Sequence, residues 1–105
     1  MKYQINLPKT PNGAGSFDLD DVSFDLNWRT LRNGNLVVDI SIDGEQIEGG
    51  RACVNRSPLL LVSPFPSGKG NLYFYDKFGN DDPVYTGFND RFALIYDDEY
   101  KFEQV

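Results

Sequence analysis

Apolar and polar residues alternate strictly along "VSFDLNWRTL". Val22, Phe24, Leu26 and Trp28 fall on one face, and Ser23, Asp25, Asn27 and Arg29 on the other. A period of two predicts a strand with one buried face. The next segment, "LVVDISI", repeats the pattern, with Leu36, Val38, Ile40 and Ile42 inward and Asp39 and Ser41 outward. Asn33-Gly34 lies between the two segments, and this pair favours the left-handed torsions of a tight hairpin turn. Asp43-Gly44 marks a second tight turn before "EQIEGGRACV". The paired Gly49-Gly50 inside that strand predicts a bulge or sharp bend, because glycine weakens a regular ladder. Residues 22–55 therefore read as a three-stranded antiparallel meander.

The flanking segments are also strands and turns. "YQINL" (Tyr3 to Leu7) predicts an opening strand ended by Pro8, and "PKTPNGAG" a loop. "SFDLD" predicts a second short strand that turns at Asp20-Asp21. In "NRSPLLLVSPFPSGKG", Pro58, Pro64 and Pro66 exclude a central strand, leaving Leu59 to Val62 as an edge segment or a plug over an open barrel end. "NLYFYD" is a further strand. "DRFALIYD" fits a strand, although Phe92, Ile95, Tyr96 and Tyr100 also fit one helical face with Asn89 or Asp90 as cap. Strand is preferred because β-branched and aromatic residues dominate. The expected fold is all-β: one domain over 1–105, a small antiparallel barrel or sandwich with long Pro/Gly-rich loops. Residues 98–105 are expected to form an extended C-terminal tail.

Charge narrows the partners. The 105 residues carry 10 Lys+Arg against 16 Asp+Glu, a net of −6. Such a surface repels phosphate, which disfavours DNA, RNA and anionic membranes. No apolar run approaches the roughly 20 residues of a spanning helix. The N-terminal stretch has no apolar segment of signal-peptide length, so synthesis in the cytoplasm is expected.

Candidate chemistry is sparse. Asp20-Asp21, Asp81-Asp82 and Asp97-Asp98 are adjacent carboxylates, but neighbours on a strand point to opposite faces and do not converge on one substrate. All three fall at expected turns or chain ends. There is no histidine to serve as a base, so Cys53 reads as a small buried hydrophobe and no catalytic residue is assigned. "DKFGNDDP" offers oxygen ligands at Asp76, Asn80, Asp81 and Asp82. It lacks the alternating acids and distal glutamate of an EF-hand loop, and one Cys without His does not make a zinc site. No metal or cofactor is expected. In "GKGNLYFY", Tyr73 and Tyr75 share a face on which bases could stack. A cold-shock-type barrel binding single strands is therefore the alternative reading, set against acids at Asp76, Asp81 and Asp82 just beyond.

One constellation spans the chain: "NLP", "FDLNWRT", the hairpin "NGNLVVDISIDGE", "GGRACVNRSPLL", "GNLYFYD", "DDPVYTGF" and "RFALIY". In this order it resembles the phage baseplate plug family, small tail proteins of contractile-tailed bacteriophages, from about Tyr3 to Tyr96. The resemblance implies a structural virion component without enzyme activity, near the tail axis and close to the tube end and central hub. The tape measure or spike are further candidate neighbours. It also implies several copies in a ring, since baseplates are rotationally symmetric. Partner-contact candidates are Asp81, Asp82 and Pro83 as a solvated turn, and Tyr85 and Phe88 as loop anchors, with core packing the competing reading for those two. Phe65 in the proline-broken loop and Tyr100 and Phe102 in the tail complete the set.

Overall fold

The computed structural model describes residues 2–19, 22–60 and 69–100. Among these residues seven strands follow one another: β1 (Lys2–Ile5), β2 (Asn12–Leu19), β3 (Val22–Thr30), β4 (Leu36–Ile42), β5 (Glu45–Ala52), β6 (Asn71–Asp76) and β7 (Phe92–Asp97). They form two antiparallel sheets, β2-β3-β4-β5 and β1-β7-β6. Among the described residues the sheets make a sandwich and do not close into a barrel. β3, β4 and β5 are the predicted three-stranded meander and β2 adds a fourth strand ahead of it, while the cold-shock alternative lacks its barrel among the described residues.

Alternation explains the core. Val22, Phe24, Leu26 and Trp28 of β3 are all buried, as are Leu36, Val38 and Ile40 of β4. From the smaller sheet come Leu72 and Phe74 of β6 and Leu94 and Tyr96 of β7. Phe88, from the connection between β6 and β7, joins the two layers. Its ring stacks on Phe74 at 5.8 Å and meets Trp28 edge-on at 6.1 Å. Cys53 is buried among these side chains, and burial pushes its thiol up to about 12.

The turns show where local signals were sufficient. Asp43 and Gly44 both have positive φ (49° and 86°), and Ile42 pairs directly with Glu45, giving the expected two-residue hairpin. The Asn33-Gly34 turn is wider than expected: Leu31 N–H donates to the Asn35 carbonyl, closing a loop that spans 31–35. Gly34 carries the positive φ there, while the Asn33 side chain accepts from Asn35 N–H. The Gly49-Gly50 bulge is present. Val38 pairs with Arg51 and Ile40 with Glu48, so Gly49 and Gly50 together oppose Asp39, whose carboxylate accepts from Gly50 N–H at 2.7 Å.

Two buried segments outside the sheets are held by asparagines. Asn71 is fully buried; its amide donates to the Leu60 carbonyl (2.9 Å) and accepts from Leu60 N–H (3.0 Å). Asn89 does the same for Leu7, at 2.7 and 2.8 Å. Each amide copies the donor–acceptor pair of a neighbouring strand, so Leu7 and Leu60 enter the core with their backbone groups satisfied. The opening strand accordingly stops at Ile5, and Leu7 is buried beyond it. Leu59 also lies against β6, donating to the Leu72 carbonyl. This agrees with an edge segment; Leu61 and Val62 lie outside the described residues.

Candidate functional site

The site begins at the end of β6, where the inward-facing position is a carboxylate. Asp76 is 1% exposed, and the chain leaves the sheet immediately after it. Arg91, just before β7, meets it in a two-pronged pair, Nε to Oδ1 at 3.0 Å and a second nitrogen to Oδ2 at 2.9 Å. The backbone N–H groups of Phe78 and Asp81 also donate to Asp76. Arg91 reaches on to Asp81 at 2.6 Å. The guanidinium holds the Asp76 carboxyl well below the usual carboxylate range, outweighing burial, and the Phe78 and Asp81 N–H groups add to the effect. Asp76 in turn raises the affinity of Arg91 for its proton. The pair closes the long β6–β7 connection at its base, and a further backbone bond from Lys77 to Arg91 reinforces it.

Within the connection each predicted residue has a place. Asp81 is exposed but bound to Arg91, and the Asp82 carboxylate accepts from Asn55 N–H at 3.0 Å. Pro83 is buried. Both acids are exposed, as a solvated turn requires, and they also tie the connection to its own base and to the segment after β5; Pro83 alone departs from that expectation. Tyr85 opens a single 3-10 turn, Tyr85–Gly87, and packs half-buried against the core. Phe88 is 1% exposed, so its anchoring is to the interior, the core-packing reading. Tyr100 is half-buried, and its carbonyl accepts from Gly70 N–H, which ties the chain into the fold as far as that residue. Phe65 and Phe102 lie outside the described residues, as do Asp20 and Asp21.

The residue that sequence reasoning missed is Phe78. It is 77% exposed, far more than any other large apolar side chain described. It sits between Asp76 and Asp81, on the stretch whose N–H groups those carboxylate bonds hold. No periodic signal could have found it, because a single Phe in a turn reads like a core anchor. Val54 and Val84, 44% and 39% exposed, line a small cleft of about 110 Å³ with Asp82 and Pro83.

The tyrosine strand gives no open stacking platform. Tyr73 and Tyr75 do share the outer face of β6, but both are half-buried. The Arg56 guanidinium lies 4.9 Å over the Tyr75 ring, and Pro58 bridges to Tyr73.

Fold and site together define a small β-sandwich with a braced connection that carries an exposed aromatic ring. The chain matches the family described as cyanophage baseplate Pam3 plug gp18 over residues 2–99, and it belongs to that family. It is thus a structural protein of a phage baseplate, a virion tail component that interacts with other tail proteins. The resemblance read from the sequence is the family found. No curated protein matches the chain.

Proposed function

We propose that this protein acts as a plug near the tail axis, seated against the tube end and the central hub, in several copies arranged as a ring. The observation that carries this reading is the family match over residues 2–99. The geometry supports it with a contact point. Phe78 presents its ring to water from a connection held at its base by the Asp76–Arg91 pair. Covering such a side chain is worth about 1.5–3 kcal/mol, and preorganised aromatics are typical interface anchors. Val54 and Val84 supply further apolar surface. The net charge of −6 suits a body beside a DNA channel that must not retain the genome. The reading assigns the chain no reaction and no cofactor.

Replacing Phe78 with Ser tests the contact. The melting temperature should stay within error, since the ring lies outside the core, while incorporation into assembled tails should fall several-fold. Normal incorporation would remove Phe78 from the interface. Absence of the wild-type chain from purified tails would overturn the plug reading itself.

A further inference from the structure

Each sheet of an open sandwich has two edges, and unpaired edges recruit other strands unless something blocks them. Three of the four are blocked here. β6 is lined by the segment from Arg56 to Leu60, through the Arg56–Phe74 and Leu59–Leu72 backbone bonds and the Asn71 clamp. β5 is interrupted by register shifts at two places and carries Glu45 and Glu48. β1 has only four residues and includes Lys2.

β2 has none of these protections. It has eight residues in unbroken register with β3, without proline or bulge, and no charge from Asn12 to Phe17. Among the described residues it has a neighbour on one side only. The direction of its backbone follows from β3. Asp43 N–H donates to the Ser23 carbonyl, so Ser23 directs its backbone toward β4 and away from its partner Asp18. Alternation then turns the N–H and C=O of Ala14, Ser16 and Asp18 outward. All three residues are exposed. The Asn12 carbonyl, next in the series, already accepts from the Thr10 hydroxyl.

We propose that β2 is a docking edge that takes an extended segment of a neighbouring baseplate protein as a fifth strand of the larger sheet, with a Lys or Arg of that segment beside Asp18. Main-chain bonds to residues 14, 16 and 18 give the attachment. Charge selects the occupant. Asp18 and Asp25 share the solvent face at this edge, diagonal across the β2–β3 pair. A cation on the added strand complements them, whereas a second copy would bring a further −6. On the solvent face the small side chains of Ala14 and Ser16 leave room for large side chains on the incoming strand. The inference rests on the plug reading, which supplies the neighbour.

Amide hydrogen exchange tests it on the wild-type chain, free and in purified tails. Free, the amides of Ala14, Ser16 and Asp18 should exchange at unprotected rates; in tails they should slow by about tenfold or more. Ala14→Pro removes one outward donor, at an edge position where proline is tolerated, and should fold yet incorporate poorly. Unchanged exchange at these amides in tails that contain the protein would overturn the edge while leaving the plug reading intact. Protection appearing in the free protein as its concentration rises would also overturn it, by assigning the edge to a second copy. A chain missing from tails would fail the plug reading instead.

Discussion

At the scale of single residues, Gly13 carries more of the fold than its type suggests. It pairs with Trp28 across β2 and β3, and a Cβ built there would stand 2.2 Å from Cζ2 of the indole. Trp28 is 1% exposed and fixed by its Nε1–H bond to the Thr10 carbonyl at 3.0 Å, so it has nowhere to move. Elsewhere, a Gly to Ala change at a compatible position stabilises slightly. Here Gly13→Ala should cost about 1–3 kcal/mol through overpacking, read from urea unfolding. An unchanged or raised stability would mean the indole is not seated over this strand. The same contact explains a misread boundary. "NGAG" looks like loop sequence, and β2 was expected to begin only at Ser16. In the fold it begins at Asn12, because Trp28 lies over Gly13 and the Phe17 ring over Gly15, and the aromatics occupy the space that side chains would need. A contact between strands cannot be read from the composition of one of them.

At the scale of elements, the connection between β6 and β7 depends on one ionised carboxylate. Asp76 titrates below its ordinary value of about 4 because Arg91 and two N–H groups favour its charged form. A depressed acid contributes stability that is fully present above its unfolded pKa and is lost as pH falls through the folded one. Asp90, lowered by Lys9, adds in the same direction. The stability advantage of the wild type over Asp76→Asn should therefore be constant at neutral pH and shrink below about pH 4. A gap that stays flat into strong acid would show that the pair does not brace the loop. Element type was legible where periodicity was long: β3, β4 and β6 lie where alternation puts them. β7 was ambiguous in isolation and is a strand because it lies between β1 and β6, forming ladders with both. Asp76 was legible only as a turn acid; nothing local announces that Arg91 returns to pair with it.

At the scale of the whole molecule, the fold class and the absence of a recognisable catalytic pattern could be read from composition and spacing. The family could be read from an ordered set of short motifs, which the match over residues 2–99 bears out. Side-chain burial was not legible. Of the expected contact residues, Phe88 is interior and Pro83 buried, while Phe78 is the most exposed large apolar side chain among the described residues. Burial separates an anchor to the core from an anchor to a partner, and burial is a property of the assembled sandwich. The unprotected β2 edge likewise emerges only when all four edges are compared.

The central claim is that this sandwich works as a plug on the baseplate axis. Its most direct test is to locate the chain in intact tails by cryo-electron microscopy of particles carrying a tagged copy. The account predicts tag density on or beside the axis, between the tube end and the hub, repeated by the symmetry of the tail. Density confined to the baseplate periphery or the head, or particles that assemble normally without the chain, would contradict it.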